Sequence, residues 1–130
     1  MTAEDKLQSM AVRSFRRKYP ELAKLLFSVP NGANLTDSQR MLFSQTGMVP
    51  GVSDLILLIS RHGYGSLCLE SKVKKGDIYN IAGVNRLVKK TGTQSKDQHE
   101  WELSALTVGN KYELYYSVNQ FDQIIDEYLK

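Results

Sequence analysis

The sequence predicts one α/β domain, residues 1–130, in which an α+β mixed sheet is flanked by helices, and three observations carry that prediction. The chain has 130 residues, 42% of them apolar, enough for one hydrophobic core and too few for two. Apolar residues recur at helical spacing near both ends and in residues 101–106, but run together or alternate in residues 52–60, 66–73 and 111–118. Glycine and proline cluster between these segments rather than within them.

Taken in order, Leu7, Met10, Ala11, Ser14 and Phe15 form an i, i+3, i+4 stripe between Ala3 and Lys18, with Arg13, Arg16 and Arg17 largely outside it, which specifies an amphipathic helix. Pro20 ends it. Residues 21–27 are short and apolar and read equally as a helical extension or as an entering strand, before a turn at Pro30-Asn31-Gly32. Residues 37–43 are a candidate short helix, and Gly47, Pro50 and Gly51 make a loop into residues 52–60. There the run Leu55-Ile56-Leu57-Leu58-Ile59 is expected at the centre of the sheet, covered on both faces. A Gly-containing turn at residues 61–65 leads into a second strand, residues 66–73, so the two should form an antiparallel hairpin. Residues 74–93 are polar and basic, with a candidate short helix at residues 81–88. Ser95-Lys96-Asp97-Gln98 starts a helix that Gly109-Asn110 ends, residues 111–118 alternate as a third strand, and Asn119 caps a last helix with Phe121, Ile124, Ile125, Tyr128 and Leu129 on its apolar face.

Composition narrows the function classes. No apolar run reaches the ~18–20 residues of a membrane span, and the first eight residues are polar where a signal peptide would be apolar, so the chain is expected to be soluble and intracellular, with no membrane partner. A single cysteine, Cys68, allows no internal disulfide, and two histidines in separate segments form no Cys/His cluster, so a metal would have to bind through oxygen. The net charge is +3, and its distribution matters more than its size. Lys72, Lys74, Lys75, Arg86, Lys89, Lys90 and Lys96 stand against one acid, Asp77, while the last third of the chain is acidic, a pattern suited to a phosphate-binding surface opposite a solvated one.

Alternation along the second strand places Cys68, Glu70 and Lys72 on one face. Asp54 opens the preceding strand, immediately before an apolar run with no evident use for a charge. If the strands pair as a hairpin, Asp54 and Glu70 approach at one end of the sheet, where two carboxylates repel unless a cation lies between them. A hard-oxygen site of this kind suits Mg²⁺ or Mn²⁺, held by Asp54, Glu70 and the main-chain carbonyl of Ser71. Lys72, a donor without acceptor capacity, could orient water or neutralise charge during phosphodiester hydrolysis. The competing reading is an ordinary salt bridge between Lys72 and Asp54 or Glu70.

The run Gly51-Val52-Ser53-Asp54-Leu55, followed by Leu69-Glu70-Ser71-Lys72, resembles the core of the PD-(D/E)XK nuclease superfamily. The order of Glu4, Pro30-Asn31-Gly32, residues 51–54, residues 70–72 and Gln98 before Trp101 resembles its VRR-NUC branch, the virus-type replication–repair nucleases, over nearly the whole chain. Ser53 stands where the superfamily has proline. The resemblance implies a restriction-endonuclease-like mixed sheet, a Mg²⁺- or Mn²⁺-dependent DNA endonuclease without a small-molecule cofactor, and a homodimer that cuts branched DNA, four-way (Holliday) junctions included. It assigns Glu4 and Gln98 to the catalytic group beside Asp54, Glu70 and Lys72. Gln98 also occupies the capping-box position after Ser95, and Glu4 the first turn of its helix, where an acid favours the macrodipole anyway. Lys74, Lys75, Arg86, Lys89, Lys90 and the turn residues Asn31 and Gly32 are the candidate DNA contacts. His62, His99, Cys68, Tyr112, Tyr115 and Tyr116 are read as packing or surface residues. A non-catalytic DNA-binding scaffold and an RNA-cutting nuclease remain as alternatives.

Overall fold

A computed structural model of the chain describes residues 1–30 and 34–130. The apolar stripe folds as α1 (Ala3–Lys18), which buries Leu7, Ala11, Ser14 and Phe15. Thr2 and Asp5 form a reciprocal capping box at its start, and Arg16, Arg17 and Lys18 complement the negative end of its dipole. After Pro20 the two readings of the next segment are both realised in succession. A 3-10 turn, Pro20–Leu25, passes directly into β1 (Leu26–Ser28). Thr36 caps α2 (Asp37–Gln45).

Strands β1, β2 (Leu55–Leu57), β3 (Leu67–Ser71) and β6 (Lys111–Tyr115) form one sheet in the order β1-β2-β3-β6. The first two pairings are antiparallel and the third is parallel, so the sheet is mixed. The parallel step needs a crossover, which includes α3 (Lys96–Thr107). Helices α1 and α4 (Val118–Leu129) pack on the core formed by Leu55, Leu57, Leu67, Leu69 and Tyr115. They are tied together where Ser14 Oγ donates to Asp122 (2.8 Å), Tyr19 OH to Asp126 (2.6 Å), and Lys18 pairs with Asp126. Trp101 of α3 packs at a tilt against Tyr112 of β6, on the side that Glu70 occupies. Among the described residues no helix is long and apolar enough to cross a membrane.

Three expectations are corrected. Residues 81–88 are not helical: β4 (Ile78–Ile81) and β5 (Val84–Leu87) make a separate antiparallel ribbon. Its two-residue turn, Ala82-Gly83, has φ of +53° and +81°, the handedness that matches strand twist and forbids helix continuation. The last helix is capped by Ser117, whose hydroxyl accepts from Gln120 N (3.1 Å), and therefore starts at Val118, ahead of Asn119. Finally, the strand expected over residues 52–60 pairs only over Leu55–Leu57, and Leu58 is 58% exposed. The strand buried at every residue is β3, because β2 and β6 flank it and it lies between helix-bearing faces.

Candidate active site

Because Leu55 pairs with Leu69, Asp54 and Glu70 meet where β2 begins and β3 ends. Asp54 is fixed on three sides. Its carbonyl accepts from Val29 N (3.1 Å), and its Oδ2 accepts from both Ser71 N (2.9 Å) and Ser71 Oγ (3.0 Å). The buried Ser53 hydroxyl donates to Leu55 O (3.1 Å), bridging across Asp54. Ser71 thus orients Asp54 through its N–H and hydroxyl, a role that the sequence did not suggest.

Glu70 is fully buried, 0% exposed, and among the described residues neither carboxylate oxygen has a hydrogen-bond partner. Burial pushes its carboxyl above the usual range. Tyr112, Lys72 and Gln94 draw it back, and the charge of Asp54 raises it further. The Tyr112 hydroxyl is itself buried without a partner among the described residues and lies beside Glu70 short of a hydrogen bond of normal geometry. Burial, followed by the Glu70 charge, pushes that phenol strongly upward. Tyr115 OH is a further buried, unpartnered hydroxyl at this end of the sheet, raised by burial and by Asp54.

Lys72 is 5% exposed and makes no direct ion pair with either acid among the described residues. Its Nζ donates instead to Gln98 Oε1 (3.2 Å). The same oxygen accepts from Ser95 N (2.8 Å), while Gln98 N donates to Ser95 Oγ (3.2 Å). Gln98 therefore caps α3 and holds Lys72 at once. Glu4, on the first turn of α1, is raised by burial, lowered by Lys72 and raised again by Asp54, which places it in the same electrostatic group.

Two glycines close the site. A Cβ on Gly92 would stand 2.9 Å from Glu4 Oε1 and 3.3 Å from Lys72 Cδ, so a side chain there would push the ends of both away from their present positions. A Cβ on Gly51 would stand 2.3 Å from the backbone of Asp97, and Gly51 has φ +83°. Both requirements select glycine there, seating the start of α3 against the loop that delivers Asp54. Tyr112, Gln94 and these contacts were not read from the sequence, because they depend on the parallel β3–β6 register, in which Cys68 pairs with Tyr112.

Among the candidate DNA contacts, Lys74, Lys75, Arg86, Lys89 and Lys90 are exposed on the β4–β5 ribbon and its flanks. Asn31 and Gly32 lie outside the described residues. Among the described residues no ready cage of three or more His, Cys, Asp or Glu side chains exists. The donor set nevertheless fits a hard divalent cation. Mg²⁺ characteristically takes one or two carboxylates and completes its shell with water and substrate oxygen, and the unpartnered Glu70 oxygens beside Asp54 offer that arrangement.

A mixed sheet flanked by helices, with two acids and a lysine gathered where its inner strands end, defines the restriction-endonuclease-like fold. A solved structure titled "VRR_NUC domain protein" shares it, with a TM-score of 0.73 and 19% identity, covering 99% of this chain and 89% of that one. No family model and no curated protein matches the chain by sequence.

Proposed function

We propose that this chain is a Mg²⁺- or Mn²⁺-dependent DNA endonuclease that hydrolyses phosphodiester bonds at the Asp54, Glu70 and Lys72 group. The observation that carries the proposal is Glu70, fully buried with both oxygens unpartnered among the described residues, next to a second acid. A carboxylate so placed is costly unless a proton or a cation satisfies it. Asp54 and Glu70, with the carbonyl of Ser71, are the cation ligands of this reading. When bound, the cation supplies Lewis acidity at the phosphate and eases loss of a proton from water.

The chain's own groups supply the rest. Ser71 holds Asp54 in one orientation through two hydrogen bonds. Lys72 presents a donor-only ammonium in a buried setting, where it neutralises negative charge developing on phosphoryl oxygens or orients the attacking water. Gln98 fixes that ammonium, and Glu4 adds a third negative charge within reach of Lys72. Exposed Lys74, Lys75, Arg86, Lys89 and Lys90 contact the DNA backbone without reading sequence. A homodimer acting on branched DNA, four-way junctions included, extends the resemblance described above and belongs to the same proposal.

The test is cleavage of labelled linear, flapped and four-way-junction DNA with Mg²⁺ or Mn²⁺, comparing wild type with Glu70→Ala and Lys72→Ala. Metal-dependent cutting that both substitutions abolish is expected. Binding without cutting under every condition would leave a non-catalytic scaffold, and faster cutting of RNA of the same shape would reassign the substrate.

A further inference from the structure

We infer that the β4–β5 ribbon is a duplex-gripping wing whose neutral outer face enters a DNA groove while lysines at its root hold the flanking phosphates. This rests on the nuclease reading for its substrate. It goes further by assigning a function to the ribbon itself, which no part of the candidate active site requires.

The root of the ribbon is built into the end of β3. Gly92 N donates to Val73 O and Gly76 N to Val88 O, each at 2.8 Å, Lys75 N donates to Thr91 Oγ1 (3.0 Å), and Val73 and Val88 are buried in the core. Lys72 immediately precedes this root, and Gly92 within it packs on Lys72 and Glu4. A duplex held by the ribbon is therefore held in a fixed relation to the acids.

Beyond the root, one face of the ribbon is exposed on both strands. Cross-strand pairs share a face of a ribbon, so Ile78 with Leu87 and Asn80 with Asn85 look the same way. Ile78 is 67% and Leu87 60% exposed, and Asn80 Nδ2 donates to Asn85 Oδ1 (3.1 Å). Aliphatic side chains left bare on a ribbon face gain nothing from water, which points to a partner.

Charge complementarity selects that partner. Residues 74–90 carry five basic side chains against Asp77, a net +4 in a chain whose total is +3, so the remainder is net negative. Two copies meeting through this face would bring like charges together, which disfavours self-association. A polyanion is favoured instead. A two-stranded ribbon fits the ~12 Å major groove of B-DNA but not the deep, narrow major groove of duplex RNA. Paired amides suit hydrogen bonding to base edges, which a lipid surface does not offer.

The experiment is fluorescence anisotropy with a labelled 20-base-pair DNA duplex in EDTA, where cleavage cannot occur, across a salt series. Lys89→Ala/Lys90→Ala is expected to lower the slope of log affinity against log salt by about 2, since each phosphate contact accounts for roughly 0.9. Ile78→Ser/Leu87→Ser, which changes no charge, is expected to weaken binding by about tenfold at an unchanged slope. Thermal melting confirms that both variants remain folded. Wild-type affinity and slope in both folded variants would overturn the wing. So would tighter binding to an RNA duplex of the same sequence, to anionic phosphatidylserine vesicles, or conversion of a dimer to a monomer by the Ile78/Leu87 pair. The nuclease reading is tested separately, by metal-dependent cleavage in wild type and its loss in Glu70→Ala, and either result there leaves the binding comparison intact.

Discussion

Replacing Glu70 by glutamine tests the reasoning at its most exposed point. The Glu70 carboxylate is fully buried and has no hydrogen-bond partner among the described residues, so without a bound cation its charge is a cost of folding. An unsatisfied buried group costs about 1–3 kcal/mol, and more when it is charged. Glutamine keeps the size, removes the charge and adds donors facing the unpartnered Tyr112 hydroxyl. In EDTA at neutral pH, Glu70→Gln should therefore be more stable than wild type by about 1–3 kcal/mol, roughly 3–12 °C in Tm for a chain of this length. Magnesium should reverse the order. A cation bound only by the folded wild type adds about 2.7 kcal/mol when present at ~100 times its dissociation constant, and the variant should gain little. The assay is thermal unfolding of both proteins in EDTA and across a MgCl₂ titration. A variant less stable than wild type in EDTA, together with equal magnesium responses, would refute the claim that Glu70 is a cation ligand.

Gly51→Ala should destabilise the fold by about 2–5 kcal/mol, because the new Cβ meets the rigid backbone of Asp97 at 2.3 Å and the residue sits at φ +83°. Chemical denaturation measures it, and a loss under 1 kcal/mol would refute the close approach. Gly92→Ala meets the flexible end of Glu4 instead, so its stability cost should stay below about 1 kcal/mol while cleavage falls; unchanged cleavage would remove Glu4 from the site. Asp126 is held below its usual range by Lys18 and then by Tyr19, so its contribution is complete above its unfolded value of 3.8 and lost as pH falls through the lower folded value. Tyr19 is pushed up to about 12, chiefly by its bond to Asp126, so its contribution is complete below 10 and lost as pH rises through about 12. Asp126→Asn should flatten both limbs of a stability–pH curve measured by urea unfolding, and unaltered limbs would refute the pairing.

What was legible in the sequence is what depends on neighbours along the chain. The stripe from Leu7 to Phe15 and the capping box at Ser95 are local patterns, and each appears in the structure. The pairing of Asp54 with Glu70 needed only a hairpin. The ribbon was misread because its turn is Ala82-Gly83, and alanine at positive φ carries none of the signal that Asn-Gly would. Tyr112 beside Glu70 and Gly51 beneath Asp97 were illegible for a different reason. Both depend on where the crossover returns α3 and β6, which no local pattern specifies.

One oxygen atom joins two processes that are usually separate. Gln98 Oε1 spends its two lone pairs on the first turn of α3 and on the Lys72 ammonium. Helix ends fray on a fast timescale, and each opening of this turn releases the glutamine from Ser95. The orientation of Lys72 is therefore coupled to the integrity of that first turn. A change in solvent or temperature that unwinds a single turn, without unfolding the domain, reaches the ammonium directly.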